Sequence, residues 1–206
     1  MRRPGIAKRT VAATLVAVAL AVAVALAVGA GAQVSRAQVD DPNDTRGVLD
    51  ARRVWLDPAA GPPAWTVITF TGWTIPQVRD RGFAFVYLDT KAGPRADYYA
   101  MVRSTGQRVV AELFRVRDQG LPVPVRPLVA THGSPLRLDV RIPVGSLSFG
   151  ALRTSYRWWV ATTFTGRVCR VTCVDHVPDE GAIEQPLGSP SPTVTTTPTP
   201  TSAPTP

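Results

Sequence analysis

The feature that most constrains this chain is a two-residue period in its apolar side chains. Leu136, Leu138, Val140 and Ile142 alternate with Arg137, Asp139 and Arg141. Successive side chains of a β-strand point to opposite faces, so this pattern predicts a strand with one face in a core and the other in water. Phe83 to Asp89 keeps the same period with apolar residues on both sides. Phe83, Phe85 and Tyr87 oppose Ala84, Val86 and Leu88, which predicts a central strand buried on two faces. Further strands are expected at Val48 to Leu56, Trp65 to Thr71, Asp97 to Val102, Val109 to Val116 and Tyr156 to Phe164. Val123 to Ala130 is interrupted by Pro124 and Pro127 and reads as an edge strand or a loop. Val144 to Leu147 reads as a short helical turn after Pro143. Turn signals such as Ala92-Gly93-Pro94 and His132-Gly133-Ser134-Pro135 separate the segments. Outside the N-terminus no stretch sustains a 3.6-residue period. Seven or eight short strands spaced in this way predict an all-β fold, a single antiparallel β-sandwich or barrel.

The two ends differ from this body. Arg2, Arg3, Lys8 and Arg9 precede Val11 to Val28, a run of only Val, Ala, Leu and one Thr, and no acidic residue occurs before Asp40. A basic stretch followed by an apolar one is the order of a secretory signal. Ala30-Gly31-Ala32 supplies small residues for cleavage before Gln33. An apolar run of 18 residues is also about long enough to span a bilayer. Residues 1–32 are therefore expected to be either a cleaved signal helix or a retained membrane anchor, the chain's one expected link to a membrane. Residues 189–206 comprise six Pro, seven Thr and three Ser with no charge. Such a segment buries too little apolar surface to offset its ordering entropy, so a disordered tail is expected, bare or O-glycosylated. Residues 33–46 read as an acidic linker and residues 47–188 as the sandwich domain.

Four of the 23 basic residues lie in the signal, so a chain beginning at Gln33 carries +4 where the whole carries +8. The remaining arginines are scattered, which argues against a nucleic-acid partner. Cys169 and Cys173 are the only cysteines. In an oxidising compartment a lone close pair forms a disulfide. The rival is zinc, for which only His176 and Asp175 lie near as further ligands.

A resemblance rests on the order of several short motifs: Phe85-Val86-Tyr87-Leu88-Asp89-Thr90, then Asp97-Tyr98-Tyr99, then Leu138-Asp139-Val140-Arg141-Ile142-Pro143, then Trp158-Trp159. The chain resembles jelly-roll sandwiches of the DOMON and family 9 carbohydrate-binding type. It is also similar to a group of exported actinobacterial proteins with Gly-x-Leu-Asp near the start, as in Gly47-Val48-Leu49-Asp50, and a Cys pair followed by Pro-Asp, as in Pro178-Asp179. The resemblance covers residues 40–182. It implies a jelly-roll-like fold, and sandwiches of that kind bind sugars, haem or no known ligand.

Few residues are candidates for chemistry. No Gly-x-Ser-x-Gly turn surrounds any serine, and His132 and His176 each lie in a Pro/Gly-rich loop. Asp89, Glu112 and Asp139 are nominal glycosidase carboxylates. Asp40, Asp41 and Asp44 are candidate calcium ligands, because calcium takes clustered hard oxygens. If the fold joins its two ends, Asp175, Asp179 and Glu180 can share that site; the alternative is a solvated linker. Trp73 and Trp159 are candidate platforms for stacking on a sugar. Trp158 and Trp159 are neighbours in a strand and must face opposite ways. The expected function is that of an exported, monomeric, non-catalytic module, binding glycan or cell-wall material. The alternatives are an extracellular hydrolase and a purely structural surface protein.

Overall fold

The computed structural model describes residues 37–187, apart from 59, 60, 71, 72, 74 and 80. The expected signal or anchor and the Pro/Thr-rich tail lie outside the described residues. The described residues belong to one compact unit beginning at Arg36.

The fold is all-β. Eleven strands form one antiparallel sheet that curls over its own core: β1 (Gln38–Asp40), β2 (Ala51–Asp57), β3 (Ala64–Thr69), β4 (Gly82–Asp89), β5 (Tyr98–Ser104), β6 (Val109–Arg115), β7 (Val123–Ser134), β8 (Arg137–Arg141), β9 (Ser155–Phe164), β10 (Cys173–Val177) and β11 (Ile183–Pro186). Their spatial order is β1-β2-β3-β8-β7-β6-β5-β4-β9-β10, with β11 also paired to β9. The curl gives a half-barrel consistent with the expected jelly-roll-like sandwich. Its concave side holds the core. Ala84, Val86 and Leu88 of β4 point inward, with Leu138 and Val140 of β8 facing the same core.

The long strand β7 makes the curl. Its first half, from Val123 to Leu128, pairs with β6, and its second half, from Val129 to Ser134, pairs with β8. Each half is thus an edge on one side. Pro124 and Pro127 lie in the first half, where no second neighbour needs their missing N–H groups. The sequence expectation of an edge or a loop is corrected here: the segment is a 12-residue strand in the middle of the sheet path, and the prolines mark a locally one-sided strand. The expected turn after Pro143 is present as Val144–Ser146.

The prediction for β4 also needs correction. Its inward face is buried, but Phe83, Phe85 and Tyr87 are only half-buried on the convex side. Their apolar character comes from packing against one another and not from a second layer. Trp158 and Trp159 divide as the alternation requires. Trp158 is fully buried and meets Trp65 edge-on at 6.4 Å, and Trp159 lies on the convex side with a half-buried ring.

These environments predict different costs of truncation. Trp158→Ala empties a core site and is expected to cost about 3–5 kcal/mol. Trp159→Ala removes one ring from a half-exposed face and is expected to cost about 1–2 kcal/mol. Urea unfolding of the two variants checks this; equal costs would contradict the inside-outside assignment.

Candidate metal centre and convex aromatic face

The sheet's two ends meet along a seam. The turn leading out of β1 and the residue entering β2 come from one end; β10 comes from the other. Asp175 on β10 accepts a hydrogen bond from the Ala51 amide at 2.7 Å, and the Thr162 hydroxyl of β9 donates to the Leu49 carbonyl. Gly47 lets the intervening loop lie close to the disulfide: its φ is +125°, and a Cβ there would stand 3.1 Å from Cys169 Sγ. Cys169 and Cys173 are disulfide-bonded with Cα atoms 5.5 Å apart, so the zinc alternative loses its thiolates.

At this seam Asp41, Asp44, Asp50 and Asp175 converge, each offering a carboxylate oxygen within 4.8 Å of the others. Asp41, Asp50 and Asp175 are 7%, 2% and 3% exposed. Asp41 Oδ2 and both Asp50 oxygens have no hydrogen-bond partner among the described residues. Buried polar atoms are normally satisfied, and an unpartnered buried carboxylate is costly. Clustered acids with orphaned oxygens are therefore a group that can hold a metal ion. Oxygen donors alone suit a hard cation.

Electrostatics agree with the geometry. Burial, then the charges of Asp175, Asp179, Asp44 and Asp50, push the Asp41 carboxyl up to about 7. Burial, then Asp175 and Asp44, push Asp50 up to about 6; the Thr45 amide offsets part of this from outside hydrogen-bonding geometry. Asp175 is also raised by burial, against the pull of the Ala51 amide.

The candidate calcium residues therefore divide. Asp41 and Asp44 are in the cluster. Asp40 is not; it is solvent-exposed and ion-paired with Arg53, because a neighbour in an extended segment points the other way. From the far end only Asp175 enters. Asp179 and Glu180 are exposed outside it. Asp50 is the member of the cluster that sequence reasoning missed. It was absorbed into a strand expected to begin at Val48, whereas β2 begins at Ala51. An aspartate between Leu49 and Ala51, both buried, was the available signal.

The second feature is the convex face. A row of side chains runs straight across four strands: Trp159 opposite Tyr87, Tyr87 opposite Tyr99, and Tyr99 opposite Phe114. Successive ring centroids are 5.3, 5.9 and 5.1 Å apart. Phe85 flanks the row, 5.9 Å from Tyr87 and 6.0 Å from Tyr99. The first and last pairs are within 15° of parallel. Rings so close and so parallel overlap face to face, which leaves mainly edges toward solvent. Trp159 ends the row and stacks on Tyr87. Trp73 is not on this face. It is fully buried in the core, so the expectation of an exposed platform there is corrected: a sugar cannot reach it. The histidines form no constellation with these residues. His132 Nε2 contacts the Trp73 carbonyl, and His176 is exposed on β10.

The raised carboxyls predict a pH dependence. Without metal the folded chain keeps protons on Asp41 and Asp50 that the unfolded chain releases near pH 3.8, so stability falls as pH rises from about 4 to about 7. A metal ion held here would bind the deprotonated carboxylates, so its affinity would rise over the same interval. In a chelator the melting temperature is expected to drop by on the order of 5–10 °C between about pH 5 and about pH 8, and saturating calcium is expected to abolish the drop. A melting temperature that climbs with pH in the chelator would show that the cluster is not strained.

Compared with protein-family models, with curated proteins and with solved structures, the chain has no match.

Proposed function

We propose that this chain is an exported, non-catalytic β-sandwich module that binds calcium at its seam. The observation that carries the reading is the convergence of four aspartates, two of them with orphaned buried oxygens. Calcium suits the spacing better than magnesium. Calcium–oxygen bonds of about 2.3–2.6 Å place opposite ligands roughly 5 Å apart, in keeping with oxygens that lie within 4.8 Å of one another. Magnesium draws its ligands in to about 2.0–2.1 Å and keeps several waters. Asp41, Asp44, Asp50 and Asp175 would hold the ion, with Asp175 also anchoring Ala51. Export is supported by the disulfide, which persists in oxidising compartments, and by the basic-then-apolar N-terminus.

Calorimetric titration of calcium into the chelator-treated protein tests this. Asp50→Asn is expected to weaken binding at least about tenfold, since it removes a buried charged ligand, and Asp40→Asn to leave it unchanged. A second readout separates loss of a ligand from loss of the fold. Asp50→Asn removes a repelling charge and is expected to melt higher than wild type in chelator at about pH 8, yet to gain less from calcium. Equal affinity in Asp50→Asn and wild type would overturn the site.

A second reading, binding of glycan or wall material, is favoured by the convex aromatic row. Glu112 and Arg103 beside it supply polar partners for hydroxyl groups. Binding to a glycan array or to isolated wall material is expected to fall at least about tenfold in Trp159→Ala, the scale of a lost aromatic contact of about 1.4 kcal/mol. Unchanged binding in a folded variant would remove Trp159 from the site.

A further inference from the structure

Beside the seam lies an open depression of about 730 Å³, lined by Val48, Pro76, Arg79, Arg81, Phe164, Arg167 and Val168. Its lining combines apolar residues with three arginines. The side chains of Arg81 and Arg167 make no hydrogen bond or ion pair among the described residues. The Arg79 stem crosses Gly106, where a Cβ would meet its Cδ at 2.7 Å. Arg81 and Arg167 thus bring two like charges to one pocket; these repel, and an anion between them removes that cost.

The second observation is the loop beside the pocket. The Cys169–Cys173 disulfide closes a loop that carries Arg170 and Val171, and Val168 immediately precedes it. Val168 is 63% exposed and Val171 is 84% exposed. Two bare valines beside and within the disulfide-closed loop, each preceded by an exposed arginine, Arg167 and Arg170, make a surface segment that is apolar and cationic together. A soluble anion would use the guanidiniums and leave both valines in water. The surface of an anionic bilayer uses both, because valines enter the headgroup boundary while arginines meet lipid phosphates.

We infer that this arginine-lined depression and the disulfide-closed loop beside it form a docking site for an anionic lipid surface. The inference does not rest on the calcium reading. It uses different residues, and its test runs in millimolar calcium throughout, with titrations of calcium into the same variants as the separate check on that reading.

The test is co-sedimentation with vesicles, using the chain from Gln33 onward so that the N-terminal apolar run does not contribute. This chain contains the whole of the compact unit that begins at Arg36. Binding is expected to vesicles of mixed phosphatidylcholine and phosphatidylglycerol, and not to phosphatidylcholine alone. It is expected to fall steeply with salt. The double variant Arg81→Ala, Arg167→Ala is expected to lose about thirtyfold in affinity, at roughly one lipid-facing charge per arginine. The double variant Val168→Ser, Val171→Ser is expected to lose about tenfold while keeping the wild-type melting temperature, since both valines are solvent-exposed. Equal binding to both vesicle types, an unchanged affinity in the arginine variant, or binding of inorganic phosphate without any binding to vesicles would each overturn the proposal.

Discussion

The fold depends on how its sheet closes. A curled sheet with two free ends exposes edge backbone groups at each, and those edges must be covered, paired or tied together. Here the tie is Asp175. Its carboxylate accepts the Ala51 amide at the start of β2 and so joins β10 at one end of the sheet path to β2 near the other. The Thr162–Leu49 bond adds a second stitch a few residues away. The first stitch is made by a member of the acidic cluster and the second at Leu49, the neighbour of Asp50, so whatever neutralises the cluster also bears on how firmly the seam is held.

Two buried carboxylates about 4.8 Å apart repel by roughly 3 kcal/mol at an effective dielectric near 20. The seam gathers three such buried groups and one exposed one. The chain has two ways to relieve this. It can keep protons on Asp41 and Asp50, as their raised pKa values record, or it can bind a cation. The first weakens at neutral pH and above; the second strengthens there. A seam built from hydrophobic residues would have avoided the conflict altogether. Keeping the aspartates makes closure sensitive to whatever neutralises them, since a buried charged group is weak support for stability.

Much of the fold was legible from the two-residue period. The strands with clear alternation appear within one to three residues of their expected limits, as β8 and β9 do, and the parity argument correctly separated Trp158 from Trp159. The same parity decides the candidate site, but only once the strand limits are known. Asp40 and Asp41 are adjacent, and the last residue of β1 faces solvent while the next turns into the seam. A sequence offers both as ligands and cannot choose. Asp50 was hidden by a strand start placed three residues early. β7 was hidden because proline is usually read as a defect along a whole strand, whereas this strand is one-sided in each half. β1 and β11, of three and four residues, are too short to register a period at all.

The convex aromatic row was hidden for a different reason. Phe83, Phe85 and Tyr87 looked like a second buried face because apolar residues usually imply a covering layer. Here each ring is covered mostly by the next, across strands that place side chains in register. Stacking satisfies the ring faces and leaves edges and phenolic groups outward, a surface that water tolerates better than bare faces. The same arrangement limits what the face can recognise. A flat apolar ligand finds few free ring faces in the middle of the row, so any stacking contact has to be made at its ends, where Trp159 is the larger ring. The row is thus a ridge of mutually covered rings whose free ring faces lie at its margins.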